Sequence, residues 1–244
     1  VWGGTPARPE VMVAGRIARG TCDRCGRSAG GYHNGVVKVR GDDRTATGEE
    51  RSRAGELAHD YVGEREETGD RNAFVTEVDE HLDGVDVKIS TAQMGQGVAT
   101  RITRELGGTV EHHPTLVTED EDGNEVYRVT FAVRLPRHTP GDVIDPGDGD
   151  GPVLVRSVTG AVKGVRLATG GRYEADDPAG DALGTVDDAV ETTLVAVEDD
   201  HAVQVLDPET YAARTIPRPD FLPTDAETVP VLGSRAGPSA LPPA

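Results

Sequence analysis

The stretch Glu125-Val126-Tyr127-Arg128-Val129-Thr130-Phe131-Ala132-Val133-Arg134-Leu135 decides the fold. Tyr127, Val129, Phe131, Val133 and Leu135 alternate without a break against Arg128, Thr130, Ala132 and Arg134, the period of a strand with one buried face. Its hairpin partner is Thr109–Thr118, with Asp120–Asn124 as the turn. Ahead of the hairpin, Ser90-Thr91-Ala92-Gln93 starts a helix with a capping box. Met94, Val98, Ile102 and Leu106 line that helix, and Gly107-Gly108 end it. Two strands precede it, Asn72–Val78 and Val85–Ile89, joined by a turn at Asp79–Gly84. A second capping box, Thr47-Gly48-Glu49-Glu50, opens an earlier helix. Its apolar stripe is Ala54, Leu57, Ala58, Tyr61 and Val62, and it ends near Gly69. Helix, strand, strand, helix, strand, strand predicts an α+β domain over 47–137, with both helices on one sheet face.

Beyond this domain the character changes. Short valine-rich runs stand between glycine and aspartate turns: Val143-Ile144, Val153–Val158, Val162–Leu167, Thr192–Val197, Ala202–Leu206 and, more weakly, Thr210–Ile216. Their spacing predicts a small β-barrel of SH3 or OB type over 138–217, with 173–188 as an acidic insertion between strands. Residues 218–244 are rich in Pro, Ala, Gly and Asp and read as a flexible tail. Residues 1–46 hold two short extended pieces, Val11–Ile17 and Val36–Arg40, around the chain's two cysteines. The fold class expected is therefore α+β followed by all-β.

Cys22-Asp-Arg-Cys25-Gly26 is the form of half a zinc knuckle: two thiolates from one tight turn. A tetrahedral site needs four ligands, and two cysteines supply only half of it. Two other readings stay open, an unligated remnant and a redox dithiol. A redox pair usually opens a helix, and Gly26, Gly30 and Gly31 write none here.

The formal net charge is −18, and only three of the 25 basic residues are lysines. Abundant Asp and Glu with few Lys points to adaptation to high salt. At molar salt the Debye length falls to about 3 Å, so global charge no longer forbids nucleic-acid binding and short-range arginine geometry decides it. No apolar run approaches the ~20 residues of a membrane span, and no signal-peptide pattern is present, so a cytoplasmic protein is expected.

Chemistry-bearing motifs are few. Gly95-Gln96-Gly97-Val98-Ala99-Thr100 lacks the third small residue and the βαβ order of a dinucleotide turn and reads as small-residue helix packing. Asp145, Asp148 and Asp150 lack a closing glutamate for calcium. His112-His113 has no ligand partners at suitable spacing. No residue is placed as a nucleophile beside a base, so a non-enzyme without a small-molecule substrate is expected. What remains is basic and modular. Arg24 and Arg27 flank the cysteines, Tyr32 could stack on a base, and Lys38 and Arg40 share a strand face. Arg128 and Arg134 lie on the open face of the hairpin, and Arg166 lies in the barrel. Together they suggest a scaffold that binds RNA or the ribosome.

The run Cys22–Tyr32 continuing into Val36–Arg40 resembles the archaeal, haloarchaeal branch of the 60S ribosomal export adaptor family, the nonsense-mediated-decay protein three family. The resemblance continues through Tyr61–Glu66, Asp70–Glu77, Glu119–Thr130, Gly141–Val143, Gly164–Gly170 and Val229–Gly237. It implies a non-catalytic factor on the large ribosomal subunit, acting in its maturation or quality control. It also implies a zinc-rich region beside initiation factor six, and two further domains like a large-subunit ribosomal protein and the hypusine-bearing elongation factor. The family carries more Cys-x-x-Cys pairs ahead of this one. Here none precedes Cys22, so the zinc half-site has no partners in this chain, as in a fragment or a truncated paralogue.

Overall fold

A computed structural model describes residues 20–119, 125–176, 180–207 and 210–243. The expected strand Val11–Ile17 lies outside them.

The first element corrects a sequence expectation: a short helix, α1 (Asp23–Ala29), follows the first cysteine. Cys22 is its N-cap, with the Cys25 amide donating to Cys22 Sγ at 3.4 Å. Asp23 in the first turn and Arg27 in the last suit the helix dipole. These end effects hold about two turns together despite Gly26, whose cost inside a helix is about 1 kcal/mol.

Then come β1 (Gly35–Gly41), α2 (Gly48–Glu67), β2 (Val75–His81), β3 (Gly84–Ile89), α3 (Ala92–Leu106), β4 (Thr109–Glu119) and β5 (Glu125–Leu135). Both helices begin as read. Thr47 and Glu50 form a reciprocal capping box on α2, and Thr91 Oγ1 accepts from the Met94 amide on α3. Strand β2 begins three residues later than expected, because Asp70–Ala73 make a turn closed by the Ala73 amide on the Asp70 carbonyl. The five strands lie in the order β2-β3-β1-β5-β4. Thus β1 is the central strand, antiparallel to β3 and parallel to β5. A boundary at 46/47 would cut this sheet through its middle, so the α+β unit starts at Gly35.

One sheet face is apolar. Val37, Val39, Val85, Val87, Ile89 and Phe131 are buried there under α2 and α3, whose Leu57, Ala58, Val98 and Ile102 complete the core. Both helices cover this face, as their apolar stripes require. Gly107 closes α3 at φ 80°, a left-handed conformation glycine adopts readily. A Cβ there would also sit 2.6 Å from the Val158 carbonyl, so the second half of the chain abuts this corner.

That second half is two sheets rather than one small barrel. Strands β6 (Asp142–Asp145), β7 (Val153–Ser157), β8 (Val162–Arg166), β9 (Arg172–Ala175) and β10 (Asp181–Thr185) form one, in the order β10-β6-β7-β8-β9. The expected acidic insertion therefore supplies two strands and a 3-10 turn at Val186–Asp188. Strands β11 (Val190–Val197), β12 (Ala202–Leu206), β13 (Ala213–Pro217), β14 (Thr228–Leu232) and β15 (Ser239–Ala240) form the other, in the order β13-β12-β11-β14-β15. Its edges β13 and β15 approach each other, so it nearly closes on itself. A register shift in β11 lets its first half pair with β14 and its second half with β12.

Residues 218–243 are packed, which corrects the reading of a flexible tail. Val229, Val231 and Ala240 are buried with Val203, Val205 and Ile216. Leu232 and Leu241 join Val143, Leu154 and Leu167 in a core shared by the two sheets. Pro230 lies in β14, and its carbonyl accepts from the Leu241 amide at 2.8 Å.

Candidate nucleic-acid interface

Alternation along the first sheet puts every residue next to a core position on the opposite, helix-free face. On β1 these are Val36, Lys38 and Arg40, Val36 being nearly buried; on β3, Asp86 and Lys88; on β5, Arg128, Thr130, Ala132 and Arg134. Register joins them: Lys38 is opposite Asp86 on one side and Ala132 on the other, and Arg40 is opposite Arg134. Strand β2 adds Glu77 and Asp79, and β4 adds Thr109, Glu111, His113 and Thr115.

The face has two halves of different character. In the β1–β2–β3 half the cations are already held. Lys38 Nζ donates to Asp86 Oδ2 at 2.6 Å, and Arg40 NH2 stands 2.8 Å from Asp86 Oδ1, although its N–H is not aimed at that oxygen. Arg40 also meets Asp83 at 3.1 Å and donates to the Val39 and Val85 carbonyls. His81 Nε2 lies 3.8 Å from Asp86. Burial alone would raise the Asp86 pKa; the hydrogen bond from Lys38 and the nearby charge of Arg40 outweigh it and hold the carboxyl below its ordinary value. Lys88 sits between Glu77 at 2.6 Å and Asp79 at 3.0 Å. Its pKa is raised chiefly by the Glu77 hydrogen bond.

In the β5–β4 half, Arg128 and Arg134 make no ion pair or side-chain hydrogen bond among the described residues, and Arg128 Nε is shielded from solvent yet unpartnered. Thr130 and Ala132 lie between them. Within β4, Glu111 is 3.4 Å from His113.

The remaining basic candidates are engaged elsewhere. Arg24 pairs with Glu66 at 2.6 Å and donates to the Ala73 carbonyl. Arg27 donates to Asn72 at 2.6 Å and lies over the Tyr32 ring, 5.6 Å from its centroid. These contacts dock α1 on the end of α2, and one face of Tyr32 is already covered. Arg166 turns inward: it makes a two-point ion pair with Asp148, and its guanidinium lies 5.1 Å from the centre of the Tyr173 ring.

Cys22 and Cys25 are exposed and free. The Cys25 amide holds the Cys22 thiol below its ordinary pKa, and hydrogen bonding with Cys22 pushes Cys25 up. Among the described residues no group of three or more metal-ligating side chains forms. Two thiols do not complete a tetrahedral zinc site, so the donor set does not fit a resident structural zinc. The helix that opens at Cys22 removes the sequence argument against a redox pair.

Sequence reading missed Asp86. The alternation Val85, Val87, Ile89 already placed it opposite the core face; what could not be read was that β1 would bring Lys38 and Arg40 onto it. Among the described residues no helix is long and apolar enough to cross a membrane.

Residues 32–135 match the family model described as NMD3, second domain. The match runs from just before β1 to the end of β5. A comparison with curated proteins finds no match.

Proposed function

We propose that this chain is a non-catalytic binding factor of the large ribosomal subunit, acting in its maturation or quality control through rRNA and protein contacts. The observation that carries the reading is the coincidence of the NMD3 second-domain match with one folded unit. That unit presents a broad charged sheet face while its other face is closed by helices. The NMD3 family is linked to export of the large ribosomal subunit, and the sequence resemblance extends on both sides of the matched residues.

The finer parts of the reading follow from it. The cell is a haloarchaeon and the protein works in its cytoplasm. The Cys22–Cys25 pair is the edge of a zinc region whose other ligands this chain does not contain. Contact with initiation factor six would lie at that end. The α+β unit and the β-rich half are docking modules.

Co-sedimentation with 50S subunits in molar potassium chloride tests the reading. The protein is expected in the subunit fraction. Recovery only in the soluble fraction, with subunits intact, overturns it.

A further inference from the structure

We propose that the β5–β4 half of the open face grips the backbone of double-stranded RNA through Arg128 and Arg134, and that Asp86 withholds Lys38 and Arg40 from that grip. The proposal rests on the reading of a subunit-binding factor and names the part of the subunit that this face meets.

The first argument is availability. A guanidinium already satisfied by a carboxylate must break that pair to bind a phosphate. Lys38 and Arg40 would have to leave Asp86, a carboxylate only 8% exposed, uncompensated. Arg128 and Arg134 have no such pair to break among the described residues. In a chain of net charge −18 they are two unneutralised cations on one continuous strand face.

The second argument is spacing. Arg128 and Arg134 are six residues apart on β5, so they stand about 20 Å apart along the strand at ~3.3 Å per residue. At roughly 3.4 Å per phosphate along one nucleic-acid strand, that distance spans several backbone units. Between them Thr130 and Ala132 form a low shelf; on β4 His113 and Glu111 stand opposite these two, and Thr109 and Thr115 stand at the ends, opposite Arg134 and Arg128. Small side chains let a rigid helix lie across the strand. Threonine hydroxyls can donate to or accept from 2′-hydroxyls and phosphate oxygens.

The third argument is what the shelf lacks. Single-stranded nucleic acid is bound by aromatic platforms on which bases stack. Tyr127 and Phe131 both alternate to the helix side, and β1, β3 and β5 place no aromatic on the open face. Strand β4 adds one imidazole, His113, which stands 3.4 Å from Glu111. A surface chiefly of arginine and threonine, with no Phe, Tyr or Trp platform, reads backbone and shape, which is how duplex RNA is recognised. A protein partner would instead favour accessible apolar anchors at the centre of the patch, and the centre here is Thr130 and Ala132 beside Val36, which is only 8% exposed.

The test uses the full-length chain, a blunt 20-base-pair RNA duplex of arbitrary sequence, the matching single strand, and 50S subunits. Duplex affinity is measured against salt for the wild type, R128A/R134A, K38A and D86N. Wild type is expected to bind the duplex more tightly than the single strand. The salt slope of the double variant should fall by about 2, at ~0.9 for each phosphate no longer neutralised. K38A should leave the slope unchanged, and D86N should steepen it by about 1 as Lys38 is released, at about 1 per added cation, while Arg40 stays paired with Asp83. Arg128 and Arg134 bury no core surface, so circular dichroism of the double variant should match the wild type. Sedimentation separates the two levels of reading. If wild type fails to sediment with 50S subunits, the function itself is wrong. If both wild type and R128A/R134A sediment alike, or single strand is preferred, the duplex grip is wrong. If the double variant no longer binds the subunit while wild type ignores the duplex, the face meets protein, and the proposal is overturned.

Discussion

Deleting residues 218–244 should unfold the third sheet and leave the first standing. Leu222, Val229, Val231, Leu232, Ala240 and Leu241 are all buried. The five larger ones contribute about 1.5–3 kcal/mol each on burial, or roughly 8–15 kcal/mol together. A domain's net stability is only about 5–15 kcal/mol. The deletion also strips β14 from residues 190–193 of β11 and exposes Val203, Val205 and Ile216. The second sheet loses Leu232 and Leu241 from the core it shares. The first unit has no stake in the deletion, because its core lies wholly within residues 37–135.

Limited proteolysis read by mass spectrometry, with thermal unfolding in the same buffer, checks this. The full chain should resist cleavage between 186 and 217. The truncated chain should be cut there quickly while a fragment spanning β1 to β5 persists, and one unfolding transition should vanish. Leu241→Ala offers a milder version, expected to cost 2–5 kcal/mol. A truncated chain with the cleavage pattern of the full chain, together with a Leu241→Ala variant within ~0.5 kcal/mol of wild type, would refute the packing argument.

Arg166→Ala should destabilise the second sheet by about 1–2 kcal/mol, since it removes a charge-assisted pair with Asp148 and a cation–π interaction with Tyr173. It should leave 50S co-sedimentation unchanged; a loss of subunit binding with unaltered thermal stability would return Arg166 to the RNA-contacting set. Stability should also fall in acid. Burial raises the pKa of Asp86 and of Glu50, but Lys38 and Arg40 on one, and Arg44 with the Thr47 amide on the other, leave both folded values below the ordinary ones. Depressed carboxyl values stabilise above the unfolded pKa, near 4, so the melting temperature should hold at neutral pH and drop progressively below about pH 5. D86N should show a shallower drop; an equal slope in both proteins would show that the Asp86 cluster does not contribute.

Local patterns were legible and long-range pairings were not. The two capping boxes announced α2 and α3, and the alternation from Tyr127 to Leu135 announced β5, because caps and periods are written within a few residues. Nothing local in Val36–Arg40 says that it enters between β3 and β5 and runs parallel to β5. That pairing joins residues almost a hundred positions apart, and it moved the domain boundary. The C-terminal segment misled through composition: prolines and alanines are frequent, and they hid Val229 and Val231, two residues apart on one strand face. At Cys22 the glycines masked an N-cap. The candidate interface shows the same division. The face carrying Lys38, Arg40, Arg128 and Arg134 could be read from alternation, while their partners could not.

That last difference decides how the basic residues count. Five cations on one sheet face look equivalent in sequence, yet Asp86 claims Lys38 and Arg40, and Glu77 and Asp79 claim Lys88. At molar salt the Debye length is about 3 Å. A pair at 2.6 Å, such as Lys38 and Asp86, survives at that range, whereas the repulsion of distant acidic groups does not. The overall −18 then neither forbids RNA nor measures affinity for it. Affinity follows from which guanidinium lacks a carboxylate at close range, and on this face that condition selects Arg128 and Arg134.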